Sequence, residues 1–317
     1  MERKMRFGIQ TGPQHVTWQE LVDVWQTADA VGFDTAWTFD HFFPIMSDPT
    51  GPQFEGWIAL TALAMKTEHV RVGTLVTGIT YRNPAVLANM GASLDVITGG
   101  RLEMGIGAAW FELEHAALGI DFPTTAERIY RLDESCQIIK LLWTQKVTNF
   151  EGRFYQLRNA YCEPKPVQKP HPPIMIGGGG EKLTLRVVAK HADEWNAFGS
   201  PEDFQRKLGI LAEHCRAVGR DPGAIEISVG TPLALTKDSS QSERLIADIA
   251  RRRNARPEDL RNGMLWGTPD QVIQRVRAYQ QVGVSHIILS LRAPYDLEAI
   301  ELFGREVIPA VREKVAA

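Results

Sequence analysis

Short runs of β-branched and apolar residues alternate with longer amphipathic stretches along the whole chain. The short runs predict strands at Arg6–Thr11, Asp34–Phe39, Val70–Val76, Arg101–Ile106, Pro173–Gly177, Glu194–Phe198, Ile225–Val229 and Ser285–Leu291. The longer stretches predict helices near 17–31, 57–67, 84–98, 125–143, 181–192, 201–218, 269–282 and 295–313. An unbroken strand–helix rhythm implies a parallel sheet with helices packed over it. Eight repeats favour a closed α/β TIM (β/α)8 barrel over an open doubly wound sheet.

Several boundaries carry their own chemistry. Thr17 and Glu20 have the spacing of a capping box before the first helix. Gly32 and Gly283 stand where helices end and strands follow. Pro84, after Asn83, suits a first helical turn. All of residues 1–317 read as one barrel domain with insertions near 40–56, 107–124, 144–172 and 230–267. The third insertion predicts a hairpin, Lys146–Phe150 and Phe154–Leu157, around Glu151-Gly152-Arg153. The other three follow strands and so fall on the C-terminal face of a barrel, where active sites are built. The 107–124 and 230–267 stretches are lid candidates.

Composition narrows the function classes. The chain has 35 basic and 38 acidic residues, a formal charge of −3, which is not the basic footprint of a nucleic-acid binder. Arg251-Arg252-Arg253 lies in a polar, helix-compatible stretch and reads as a solvated face. Three cysteines, Cys136, Cys162 and Cys215, make neither a disulfide framework nor a zinc site. No apolar run reaches the ~18–20 residues of a membrane span, and no apolar signal core follows the charged N-terminus. A cytoplasmic protein is expected.

Three places carry candidate chemistry. Asp40-His41 directly follows the second strand, so a carboxylate and an imidazole meet at the ligand end of the barrel. The alternative is a histidine that only fastens its loop. Gly105-Ile106-Gly107-Ala108-Ala109-Trp110 follows the fourth strand. It fails as a dinucleotide fingerprint because Trp110 stands in place of the third glycine. Its small residues still let a flat ring approach the backbone, and Trp110 either walls a pocket or packs in the core. Gly177-Gly178-Gly179-Gly180 joins the fifth strand to a helix starting near Glu181. Free N–H groups at such a turn bind an anion, most simply a phosphate. No His-Glu-x-x-His or related spacing is present, and no metal site is expected.

With these residues in hand the chain resembles the luciferase-like monooxygenase superfamily, in particular its coenzyme F420-dependent oxidoreductase branch. The resemblance rests on Met5–Gly12, Gly32-Phe33-Asp34 with Trp37 and Asp40-His41, and Phe54-Glu55-Gly56-Trp57. It continues through Arg71-Val72-Gly73-Thr74, Tyr81-Arg82-Asn83-Pro84-Ala85, Gly100-Arg101-Leu102-Glu103, Gly105-Ile106-Gly107 and Trp110-Phe111 with Glu114. Further on come Pro164–Gln168, Pro172-Pro173-Ile174, Gly177–Gly180 and Ala192–Asn196. Beyond residue 200 only Gly267-Thr268-Pro269 and the last strand–helix pair match.

The resemblance implies an F420-dependent hydride transferase, usually a homodimer. Its deazaflavin would lie at the C-terminal mouth, with the cofactor phosphate on Gly177, Gly178, Gly179 and Gly180. Asp40 would touch the polar edge of the ring, and His41 would face the reactive carbon as proton donor or acceptor. Thr74-Leu75 falls where the family often has a non-prolyl cis peptide backing the ring. Gly107, Ala108 and Ala109 would pass beside it. Two departures bear on the substrate. The sugar-phosphate dehydrogenases of the branch carry a Glu where this chain has Trp110, and a Trp where it has Ile45. Both make the pocket more apolar, so a small planar or apolar substrate is expected rather than a sugar phosphate. An FMN-dependent monooxygenase of the same superfamily, and a cofactor-binding barrel without turnover, are the alternatives.

Overall fold

The computed structural model describes residues 3–253 and 256–313. Eight parallel strands close a barrel: β1 (Arg6–Thr11), β2 (Thr35–Asp40), β3 (Arg71–Gly78), β4 (Leu102–Gly107), β5 (Ile174–Gly177), β6 (Glu194–Ala197), β7 (Glu226–Thr231) and β8 (His286–Leu291). Each strand pairs with its neighbours in chain order, and β8 closes on β1 with Arg6 opposite His286. β2 and β4 are buried along their whole length, as strands packed on both faces must be.

The helices are α1 (Trp18–Ala30), α2 (Gly56–Ala64), α3 (Pro84–Ile97), α4 (Glu112–Leu118), α5 (Thr125–Thr144), α6 (Thr184–His191), α7 (Pro201–Ala217), α8 (Ser239–Arg253), α9 (Pro257–Arg261), α10 (Pro269–Gln281), α11 (Leu297–Leu302) and α12 (Ile308–Arg312). Thr17 and Glu20 form the capping box of α1. Asn83 Oδ1 accepts from the Ala85 N–H ahead of Pro84. Gly32 and Gly283 both take positive φ just past their helices.

The insertions gain definition. The predicted hairpin is Thr148–Glu151 paired antiparallel with Gln156–Ala160. The 107–124 stretch contains α4, and the 230–267 stretch contains α8 and α9. In the latter, Leu233–Leu235 pairs in parallel with Leu265–Gly267, and Ala234, Ile246 and Met264 form a small core of their own. Arg251 is exposed on α8 and pairs with Asp248; the side chains of Arg252 and Arg253 lie outside the described residues. α6 starts at Thr184, three residues later than the sequence pattern suggests, and its first position carries no side-chain cap.

The barrel interior is layered. Trp37, Leu75, Met175 and Ile288 fill its middle. Its N-terminal end is charged. Arg6 binds Glu103, Glu226 at 2.7 Å and Glu194 at 3.7 Å, while Arg71 Nε meets Glu103 at 2.5 Å. His286 joins Glu194 at 2.8 Å through one ring nitrogen and Thr35 at 2.9 Å through the other. Placing polar chemistry of this kind opposite the mouth fits a structural role.

Candidate active site

The C-terminal ends of β2 and β3 build the first half of the site. Asp40 is the last residue of β2 and is fully buried. Its carboxylate takes two hydrogen bonds from Arg82, at 2.5 and 3.2 Å, and Arg82 also binds Glu55 at the start of α2. Burial pushes the Asp40 carboxyl up from its ordinary range, against the pull of Arg82. Asp40 therefore ties β2 to α2 and to the segment before α3. It is not the carboxylate that meets His41.

That carboxylate is Glu114, on α4. His41 Nδ1 lies 2.8 Å from Glu114 Oε1, and the Glu114 side chain is fully buried. Glu114 Oε2 accepts from the Phe42 and Phe43 N–H groups at 2.7 and 3.2 Å. Tyr81 donates its hydroxyl to Glu114 Oε1 and stands 3.2 Å from His41 Nδ1. Burial alone would raise the Glu114 carboxyl, but the hydrogen bonds from His41, Tyr81 and Phe42 hold it below the usual range. Tyr81 moves the other way, pushed up by burial and then by Glu114.

Aromatic rings surround the imidazole. Phe39, Trp110, Phe111 and Tyr81 approach it edge-on, with centroids 5.5, 5.7, 5.8 and 6.1 Å away. Trp110 is 55 % exposed, so it is a wall of the mouth and not part of the core. Ile45 is held at the rim through its backbone, which exchanges hydrogen bonds with the Gln14 side chain at 2.8 and 3.1 Å. His41 Nε2 makes no hydrogen bond among the described residues and is not among the buried atoms lacking a partner. It keeps a path to solvent.

β3 ends irregularly. Among the described residues the non-prolyl cis peptide bond is Leu75–Val76, one residue later than Thr74-Leu75, and the register with β4 shifts between Gly73 and Thr77. Thr74 is buried, its hydroxyl bonded to Thr77 Oγ1 at 2.9 Å and Gly105 O at 3.0 Å. The Leu75 carbonyl accepts from Gln10 Nε2 at 2.8 Å. Val76 explains two glycines. A Cβ on Gly107 would meet its Cγ2 at 2.7 Å, and one on Gly177 its Cγ1 at 2.8 Å. Both positions must be glycine to pack against Val76. Ala108 supplies a carbonyl to Arg128 at 3.1 Å, and Ala109 turns the chain with φ of 60°.

The glycine turn after β5 forms the second half. Gly178 has φ of 129°, which only glycine adopts easily, and its N–H bonds Asn196 O. The N–H groups of Gly179, Gly180, Glu181 and Lys182 find no acceptor among the described residues. These four residues line a cavity of about 360 Å³ together with Ile129, Leu183 and Thr184. A Cβ on Gly179 would lie 2.7 Å from Lys207 Nζ, which places the ammonium of an α7 residue beside the turn. Orphan amides with a cation next to them fit a phosphate. Lys207 is 28 residues beyond Gly179, and nothing in the linear pattern pairs them. Glu114 does sit in a motif that the resemblance used, but only the fold shows that it meets His41.

Among the described residues no three His, Cys, Asp or Glu side chains gather to hold a metal ion, and no helix is long and apolar enough to cross a membrane.

Curated proteins similar to the chain include F420-dependent glucose-6-phosphate dehydrogenases. That of Microbacterium testaceum is 28 % identical over 338 residues, covering 98 % of this chain and 99 % of that protein. That of Kineococcus radiotolerans is 28 % identical over 334 residues, covering 97 % of each. Among solved structures, an F420-dependent secondary alcohol dehydrogenase in complex with an F420–acetone adduct shares the fold with a TM-score of 0.85. It is 22 % identical, over 98 % of this chain and all of that one. The F420-dependent tetrahydromethanopterin reductase of Methanopyrus kandleri gives a TM-score of 0.81 at 19 % identity, with 98 % and 100 % coverage. The family model for luciferase-like monooxygenase matches residues 5–286, which takes in every strand of the barrel up to the start of β8, and the chain belongs to that family.

Proposed function

We propose that this protein is an F420-dependent oxidoreductase that moves a hydride between the deazaflavin and a small neutral, planar or apolar substrate. The observation that carries the reading is His41, held by Glu114 with Nε2 open to solvent at the mouth of the barrel. The F420 dependence of the relatives that align with nearly the whole chain supports the choice of cofactor.

The residues present suit such a cofactor. The free amides of Gly179–Lys182 and the Lys207 ammonium would take its phosphate. Leu75–Val76, Gly107, Ala108 and Ala109 would lie along its ring. When bound, the deazaflavin supplies a carbon centre that gives or takes hydride. Around it the chain itself holds the proton: His41 Nε2 exchanges it with the substrate while Glu114 fixes the far side of the ring. Asp40, locked by Arg82, acts on the site by holding the end of β2 in place rather than by titrating with His41.

The rim argues for a neutral substrate. Trp110, Phe198 and Met46 are 55, 64 and 75 % exposed and lie just past β4, β6 and β2. Arg292 rests on the Met46 sulfur at 3.8 Å. Reduced F420 should be oxidised under anaerobic conditions by members of a panel of ketones, imines and activated alkenes. Turnover of glucose 6-phosphate with oxidised F420, and none on that panel, would overturn the substrate class. Oxygen uptake with reduced FMN would favour the monooxygenase reading.

A homodimer in the cytoplasm fits the same reading. α2, α3 and their ends expose Ile58, Met65, Val86 and Ile97 beside a groove of about 750 Å³, an apolar face suited to a second copy. A monomer in sedimentation velocity at micromolar concentration would contradict the dimer.

A further inference from the structure

We propose that Glu114 is a positioning residue that fixes the tautomer of His41, so that Nδ1 carries a proton toward Glu114 and Nε2 presents a lone pair to the mouth. The proposal rests on His41 being the proton-transfer group of the function above, and it deepens that reading.

An ionised carboxylate only accepts, and both Glu114 oxygens are occupied. Oε2 takes the Phe42 and Phe43 N–H groups, and Oε1 takes the Tyr81 hydroxyl and faces His41 Nδ1 at 2.8 Å. A lone pair on Nδ1 would face a carboxylate across that distance with no proton between them. Nδ1 must therefore be the donor, and in the neutral ring Nε2 is then the acceptor. Edge-on rings from Phe39, Trp110 and Phe111 pack round the imidazole, and Nε2 is the ring nitrogen without a hydrogen bond among the described residues.

The same geometry balances the chemical step. In substrate oxidation the O–H or N–H proton passes to Nε2, a carbon–oxygen or carbon–nitrogen double bond forms, and the C–H pair leaves as hydride for the deazaflavin. His41 becomes imidazolium with its Nδ1–H already on a buried anion. Substrate reduction runs the step backwards, with Nε2–H as the donor. Glu114 belongs to α4, so this arrangement exists only while the 107–124 segment is docked on the end of β2. The other charged or titratable groups around the pair are Tyr81, the Asp40–Arg82–Glu55 cluster behind it, and His115. The last is itself held by Thr80 Oγ1 at 2.7 Å and Phe111 O at 2.8 Å.

Glu114→Gln gives a sharp test. The Phe42 and Phe43 N–H groups need an oxygen, so the glutamine carbonyl will face them and its NH₂ will face Nδ1. Nδ1 must then accept, and the proton moves to Nε2. In the catalytic-triad template the equivalent amide substitution costs about 10⁴-fold in turnover through the wrong tautomer. The experiment is long-range ¹H–¹⁵N NMR of ¹⁵N-histidine-labelled apoprotein at a pH where the ring is neutral. His41→Gln assigns the signals, and a melting curve on each variant is the fold control. The parent should show Nδ1–H with an unprotonated Nε2, Tyr81→Phe should keep that pattern, and Glu114→Gln should show Nε2–H. A parent with Nε2–H overturns the proposal by itself, even if Glu114→Gln fails to fold. A folded Glu114→Gln protein with the parent pattern overturns it as well. No cofactor is present in the measurement, so a failed F420 titration would sink the functional reading and leave this result standing.

Discussion

At the residue scale the site separates two tasks that adjacency in sequence merges. Asp40 and His41 are neighbours in the chain, yet their side chains take different partners: Arg82 for one, Glu114 for the other. Adjacent residues at the end of a strand point to opposite faces, so a pair that reads as a dyad is split by the pleat. What was legible was His41 itself, from its place after the second strand. Its carboxylate was not, because Glu114 lies 73 residues further on. Lys207 was hidden for the same reason. The two residues should fail differently. His41→Ala should lower turnover by about 10²–10⁴-fold and leave F420 affinity within a few-fold, as measured by steady-state rates and fluorescence titration. A near-normal rate would make His41 a loop fastener. Lys207→Gln should weaken intact F420 by about 10–100-fold, the worth of a hydrogen bond to a charged group, and leave the phosphate-free chromophore unaffected. Equal losses for both ligands would remove Lys207 from the phosphate site.

At the element scale, the strands and most helices could be read because each has a strong local signature. β1 matches its predicted limits, and no end of the other strands differs from its predicted position by more than two residues. The helices missed by the pattern, α4, α8 and α9, are short or mostly polar. The apolar positions of α4, Leu113 and Leu118, are exposed, and in the 230–267 insertion Ile246 packs with Ala234 and Met264 rather than on the main core. The late start of α6 has a physical reason too. The segment Gly179–Leu183 turns before the helix begins, which leaves its amides free. α6 is fastened to α5 through Asp133, whose carboxylate meets His191 at 2.6 Å and Lys190 at 2.5 Å. Burial opposes ionisation of Asp133, but hydrogen bonds from His191 and Lys190 outweigh it and bring the carboxyl down to about 2. A depressed carboxyl stabilises the fold above its unfolded value of 3.8, and that stability is lost as pH falls through about 2. Asp133→Asn should therefore flatten the plot of melting temperature against pH between 4 and 2. An unchanged slope would show that the α5–α6 contact has no part in acid stability.

At the scale of the whole molecule, the barrel sorts its polar groups by end. The mouth carries His41, the aromatic rim and the glycine turn. The opposite end carries Arg6 among Glu103, Glu194 and Glu226. The barrel closure and the strand order followed from the count of repeats, but no local pattern could show that these four residues meet. They come from β1, β4, β6 and β7, and only closure brings those strands to one ring. Removing Arg6 from such a cluster is costly, because Glu226 loses the cation it binds and Glu103 and Glu194 keep only Arg71 and His286. Arg6→Met should destabilise the protein by about 3–5 kcal/mol in denaturant unfolding while leaving F420 affinity of the folded fraction unchanged. A variant as stable as the parent would show that Arg71 and His286 suffice to neutralise the ring.

On the reading proposed above, the mouth holds a deazaflavin with its phosphate on the glycine turn and its reactive carbon near His41. The most direct measurement is a parallel equilibrium titration of the apoprotein with F420 and with FMN, followed by fluorescence under identical salt and pH. Saturable, tight binding of F420 is expected, with binding of FMN at least tenfold weaker. FMN affinity equal to or greater than that for F420 would contradict that reading.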